Sequence, residues 1–344
     1  MLYKNIEFHN VMELVRSEEA AGMKLQKLPE KVRVCLGEKE HPRGRFASQR
    51  STGCEMRFVS EGNIVRVFLS ALEADGDVLV YKGNFFHSCY RLKAGVVNTL
   101  HLEEPLRFSL VQPEVLEGYS FCSKVWRIIF SNGYCGVFHG IDSLGYKIRP
   151  PKEDETPKLK WLAYGSSITY GQGTLAHHNS YIQQAATRLG VDVLNNGLGG
   201  SCLCEKEVAD FICERNDWDF VTLEIGVNMF RYSADEFEKR VRYLIYNLKE
   251  KKPNKPAAII TIYPSSFKYL LNKQDDALKK ESEFKQILRE LCSTLYYDNL
   301  YLIEGNEILT NFSGMTCDLV HPSEFGHILM GENLAIKLKT LLNK

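Results

Sequence analysis

Leu159-Lys160-Trp161-Leu162-Ala163-Tyr164-Gly165-Ser166-Ser167-Ile168-Thr169 reads as a strand, a turn and the start of a helix. The apolar run at 161–164 stops at a glycine, as strands buried on both faces do. Two serines follow. A serine at a strand–helix turn most simply caps the helix, its oxygen accepting a hydrogen bond from an unpaired N–H of the first turn. The same place has a second use. In α/β sheets ligands bind at the carboxyl ends of the strands, and the N–H groups of the following helix point there as well. Taken alone, the segment reads as a cap.

Downstream the rhythm is regular. Candidate strands fall at 159–164, 191–195, 220–225, 257–263 and 300–303, with helices between them and at the C-terminus. The helix at 233–251 is the plainest. Ser233 and Glu236 have capping-box spacing, and Phe237, Val241, Leu244, Ile245 and Leu248 line one face. Strands alternating with helices predict a mostly parallel sheet covered on both sides, a three-layer α/β/α, flavodoxin-like domain. Upstream, residues 53–148 carry short β-like runs and no long amphipathic helix. At 63–72, Val65, Val67, Leu69 and Ala71 mark one face and Arg66 and Ser70 the other. Similar runs lie at 77–81, 85–92, 97–102, 125–130 and 134–141, with turn signals at Asp75-Gly76 and Asn132-Gly133. This predicts an all-β sandwich or jelly roll. Pro150-Pro151 and the charged stretch 152–160 read as a linker. The expected division is residues 1–152, a β-sandwich that binds carbohydrate or shapes a pocket, and residues 153–344, an α/β domain.

The 344 residues include 43 Lys+Arg and 43 Asp+Glu, a formal net charge of zero. No basic field recruits nucleic acid or an anionic membrane, so a small or neutral substrate fits better than a polyanion. The first fifteen residues are broken by Lys4, Glu7, His9 and Glu13 and do not read as a signal peptide. No apolar run reaches the roughly 18 residues that span a bilayer. The ten cysteines are scattered without a CxxC pair, which reads as reduced thiols in a cytoplasmic protein.

Three later segments bear on Ser167. After the second strand comes Asn195-Asn196-Gly197-Leu198-Gly199-Gly200-Ser201, whose glycines let backbone N–H groups approach a ligand. After the third comes Glu224-Ile225-Gly226-Val227-Asn228, with an amide at another strand end. Near the C-terminus, Asp318-Leu319-Val320-His321-Pro322 puts a carboxylate three residues from an imidazole, and Pro322 suits a first helical position. Each is weak alone. Together, at the strand ends of one domain, they outline a site and shift the reading of Ser167 from cap to nucleophile.

The blocks Gly-x-Ser, Asn-x-Gly-x-x-Gly, Gly-x-Asn and Asp-x-x-His, in this order over about 159–338, resemble those of the SGNH hydrolases, the GDSL esterase/lipase superfamily. The resemblance implies Ser167 as nucleophile, His321 as general base and Asp318 as the group orienting it. It implies an oxyanion hole from the backbone N–H groups of Ser167 and Gly200 and the side-chain amide of Asn228, with no cofactor and no metal. Ser166 stands where the superfamily usually has aspartate, and Met229 where an aspartate often follows the Asn. Both departures resemble the branch whose first block is Gly-Ser-Ser-Ile-Thr, which often carries an N-terminal β-sandwich, as two-domain carbohydrate esterases do. The expected function is therefore a serine esterase for small acyl esters, acetylated sugars among them. The alternatives are an acyltransferase on the same triad and a non-catalytic carbohydrate-binding protein. The acyl group, the alcohol and the oligomeric state are not legible.

Other signals carry less. Gly-x-Ser-x-Gly is absent. Gly171-Gln172-Gly173-Thr174-Leu175-Ala176 fits a dinucleotide pattern loosely, but several residues past the strand and without the acidic partner. His177-His178 reads as an exposed loop, His327 as a supporting group, and Cys202 and Cys204 as packing. Phe85, Phe86, Tyr90, Trp126 and Tyr134 are a candidate sugar-stacking face whose members read mostly as core.

Overall fold

The alternation at 63–72 forms a strand, Ile64–Leu72, and Val65, Val67, Leu69 and Ala71 are all fully buried. The computed structural model describes residues 1–37, 42–272, 274–295 and 297–342. They form two units. The first comprises Met1–Glu30, Ser48–Lys158 and Gly190–Asp192; the second comprises Lys31–Ala47, Leu159–Leu189 and Val193–Lys344. Neither unit is contiguous in sequence: Lys31–Ala47, inside the expected 1–152 domain, packs within the second.

The first unit is a sandwich of two antiparallel sheets. One runs, in spatial order, Leu2–Tyr3, Ile6–His9, Glu55–Ser60, Trp126–Phe130, Gly76–Lys82 and Phe85–Leu92, with Ile148–Arg149 also on Glu55–Ser60. The other runs Glu13–Arg16, Met23–Gln26, Cys135–Asp142, Ile64–Leu72 and Asn98–Glu103. One core joins residues of both sheets, among them Phe8, Met56, Val80 and Ile128 from the first and Leu25, Val67, Leu100 and Phe138 from the second. Asp75-Gly76 and Asn132-Gly133 do not close hairpins. Each joins a strand of one sheet to a strand of the other. Trp126 and Tyr134 are core, whereas Phe86 is exposed, so these aromatics form no single stacking face.

We number the strands of the remaining sheet, which the second unit holds from Val193 on in its second strand, β1 (Lys160–Gly165), β2 (Asp192–Gly197), β3 (Phe220–Glu224), β4 (Ala257–Ile260) and β5 (Leu300–Ile303). Their spatial order is β2-β1-β3-β4-β5, and the β1–β3, β3–β4 and β4–β5 pairs are parallel. The helices pack in two groups. Tyr181–Leu189 lies against Glu324–Leu341; Lys206–Glu214, Ala234–Lys251 and Asp276–Thr294 pack in series. This is the expected three-layer α/β/α arrangement. Ser233 caps Ala234–Lys251 by accepting from Glu236 N–H, and the five predicted apolar residues are its buried face. The strand order reverses between β1 and β3, the crevice where such sheets place their ligands.

Candidate active site

The turn after β1 is built so that capping falls to Ser166. Its backbone is extended, and its Oγ accepts from Ile168 N–H at 3.1 Å. Ser167 begins the single helical turn Ser167–Tyr170, so its own side chain is not needed for the cap. The Ser167 hydroxyl instead donates to Nε2 of His321 at 2.8 Å.

Glu224, the last residue of β3, holds this turn from below. Its Oε2 accepts from the backbone N–H of Ser166 at 2.6 Å and from the Thr169 hydroxyl at 3.1 Å. Its Oε1 has no hydrogen-bond partner among the described residues. Burial pushes the Glu224 carboxyl up to about 7, against the hydrogen bonds from Ser166 and Thr169, which lower it. Gly165 is the residue this contact demands: a Cβ there would lie 2.2 Å from Thr169 Oγ1 and 2.7 Å from Glu224 Oε2. Glu224 was missed in the sequence. The available signal was a charged residue inside the otherwise uncharged run at 220–225.

His321 lies on a loop, not at a helix start. The last helix, Glu324–Leu341, is capped by Ser323, and Pro322 pairs with Met315 in an isolated bridge, which corrects the reading of Pro322 as a first helical residue. Asp318 organises the loop through both oxygens. Oδ1 accepts from the N–H groups of Val320 and His321 and from the Thr316 hydroxyl, at 2.8, 2.9 and 2.8 Å. Oδ2 accepts from His321 Nδ1 at 2.7 Å. That bond puts the ring proton on Nδ1 and leaves the Nε2 lone pair facing Ser167. What burial Asp318 has raises its carboxyl, but the hydrogen bonds from His321, Val320 and Thr316 outweigh it and hold the group well below the usual range. Gly173 brings the neighbouring loop close. Its φ is +98°, and a Cβ there would sit 2.0 Å from the Pro322 carbonyl oxygen.

The glycine loop after β2 comes near the serine: a Cβ on Gly199 would lie 4.0 Å from Ser167 Cβ. Asn228, in a short turn after β3, accepts from Cys202 N–H through Oδ1 at 3.1 Å, which ties it to this loop and leaves its NH₂ group as a donor. Among the described residues, the N–H groups of Ser167 and Gly200 and the Asn228 NH₂ have no acceptor.

The remaining residues are structural. His327 is fully buried, accepting from Tyr181 N–H through Nδ1 at 3.3 Å and donating to the Gln172 carbonyl through Nε2 at 2.9 Å. Burial drives it down to about 4, so it is a neutral brace. His177 is also fully buried, which corrects its placement on an exposed loop. Cys202 and Cys204 are buried, and burial pushes the Cys202 thiol well up, away from the thiolate a nucleophile needs. No helix among the described residues is long and apolar enough to cross a membrane.

The family model of GDSL-like lipases/acylhydrolases matches residues 160–339, more than half of the chain. The chain belongs to the GDSL-like lipase/acylhydrolase family. No curated protein matches it by sequence. Among solved structures, this family member is similar to a salicylyl-acyltransferase from a tetracycline biosynthetic pathway, with TM-score 0.79, 14% identity and coverage of 98% of this chain and 95% of that one. It is also similar to a family two carbohydrate esterase from Cellvibrio japonicus (TM-score 0.62, 13% identity, 99% and 96% covered). Another such esterase, from Clostridium thermocellum and in complex with cellohexaose, has TM-score 0.62 at 15% identity, with 86% and 94% covered. At these identities the likeness is one of fold.

Proposed function

We propose that this GDSL-family chain is a serine esterase that cleaves small acyl esters, acetyl esters of carbohydrates among them, through a covalent acyl-enzyme. The observation that carries the proposal is the relay from Ser167 Oγ to His321 Nε2 at 2.8 Å and from His321 Nδ1 to Asp318 Oδ2 at 2.7 Å.

The steps follow from the residue types. Ser167 Oγ attacks the ester carbonyl while its proton passes to His321 Nε2. Asp318, ionised, holds the ring through Nδ1–H and stabilises the imidazolium that forms. The carbonyl oxygen gains the negative charge, and the N–H groups of Ser167 and Gly200 and the Asn228 amide are the donors available to it. Collapse of this intermediate expels the alkoxide, which takes the proton from His321. Water then attacks the acyl-serine with His321 again as base, releasing the acid and restoring the hydroxyl.

A fluorophosphonate probe is expected to label the wild type stoichiometrically and to leave Ser167→Ala unlabelled. Equal labelling of both removes the assignment. A second reading, acyl transfer to an alcohol in place of water, draws on the likeness to the salicylyl-acyltransferase and uses the same residues. Product analysis with alcohol acceptors present separates the two.

A further inference from the structure

Lys31–Ala47 leaves the sandwich and packs within the α/β unit. It is fastened there at Gly37, whose N–H donates to Glu205 Oε1 at 3.3 Å just beyond the glycine loop. Leu36 is fully buried, and Gly44 lies directly against the backbone of Leu36 and Gly37. These contacts fix the first turn of the short helix Arg43–Gln49 beside the glycine loop. Arg43 then lies over Gly200. A Cβ built on Gly200 would meet Arg43 Cδ at 2.8 Å, Nη1 at 2.9 Å and Cζ at 3.6 Å. Chain geometry puts this guanidinium within about 14 Å of Ser167 Cβ at most, the span of a small ester with one substituted sugar-sized group.

Among the described residues, no carboxylate neutralises Arg43. Arg188, Arg215, Arg240, Arg242 and Arg289 of this unit each pair with a carboxylate. No described residue hydrogen-bonds or ion-pairs with Arg43, and its side chain is exposed. An arginine held by its backbone and stem, with a planar five-donor head open beside a reaction centre, is suited to one carboxylate, phosphate or sulfate. The chain has no net charge to attract polyanions, so a local cation such as Arg43 is what an anionic group would meet here.

Resting on the esterase reading above, we propose that Arg43 is a specificity residue that binds a single anionic group on the substrate ester. The test uses matched ester pairs. The acyl-side pair is a 4-nitrophenyl hemisuccinate and the neutral butyrate. The alcohol-side pair is an O-acetylated uronic acid and its methyl ester. Wild type and Arg43→Gln are compared by kcat and KM at low salt, with circular dichroism melts to check folding. In one pair, the charged-to-neutral ratio of kcat/KM is expected to fall about tenfold in Arg43→Gln, mainly through KM, and to shrink in wild type at 0.5 M salt. The pair that responds tells which side of the ester carries the anion. Ratios unchanged in both pairs overturn the proposal. So does an equal loss on charged and neutral esters, because that assigns Arg43 to the oxyanion loop itself. Neutral-ester hydrolysis that survives in Ser167→Ala overturns the esterase reading instead, so the two failures are distinguishable.

Discussion

Replacing Glu224 by glutamine isolates one buried titration behind the Ser166–Ser167 turn. An ordinary glutamate titrates near 4.5, and burial raises Glu224 to about 7 in the folded chain. Between those values the unfolded chain has lost this proton and the folded chain keeps it. The group's contribution to stability is therefore complete below pH 4.5, declines as pH rises and levels off above pH 7. The displacement from 4.5 to about 7 corresponds to about 3 kcal/mol in all, most of which falls between pH 5 and 8. With its oxygen in the Oε2 position, glutamine keeps the acceptor for the Ser166 N–H and the Thr169 hydroxyl and places its NH₂ at the Oε1 position, so it stands in for the uncharged form at every pH. The assay is urea unfolding of wild type and Glu224→Gln at half-unit steps from pH 5 to 8, taking the difference so that other titrations cancel. The difference is expected to move in favour of Glu224→Gln by about 2 kcal/mol or more as pH rises across this range. A difference that stays flat, or moves the other way, refutes the raised carboxyl and with it the account of the turn.

Two further outcomes follow from the site. Asp318→Asn keeps an oxygen for the Val320 and His321 N–H groups but loses the charge facing Nδ1, so kcat is expected to fall on the order of 10³-fold with little change in the melt; a loss under tenfold rejects the relay. Gly173→Ala combines a left-handed φ with a backbone clash at the Pro322 carbonyl and is expected to cost about 2–4 kcal/mol, whereas Gly133→Ala, left-handed but with open space around it, costs about 1–2, both read from urea midpoints.

The five parallel strands were legible because each is an apolar run closed by a turn residue, and β5 matches its predicted span, Leu300–Ile303. The sandwich strands between residues 60 and 142 were legible by alternation. Those at Ile6–His9, Glu13–Arg16, Met23–Gln26 and Glu55–Ser60 were not separately marked, since four to six residues hold too few alternations to stand out. Four short blocks carried the resemblance to the SGNH hydrolases, and that resemblance nominated Ser167, His321, Asp318, Gly200 and Asn228. Chemistry that depends on residues far apart in the chain left no such trace. Glu224 Oε2 meets Ser166 N–H across 58 positions, and Arg43 meets Gly200 from an upstream excursion with no motif of its own.

Ser166 and Ser167 show where the two kinds of information divide. By itself the sequence determined that a strand ends at Gly165, that a helix follows, and that a serine stands at the carboxyl end of that strand. Those are matters of local hydrophobicity and turn chemistry. What holds Ser166 as the cap and turns Ser167 toward an imidazole was decided by tertiary structure. Glu224 takes the Ser166 N–H and His321 takes the Ser167 hydroxyl, and both partners arrive through the sheet order, not through the neighbouring sequence.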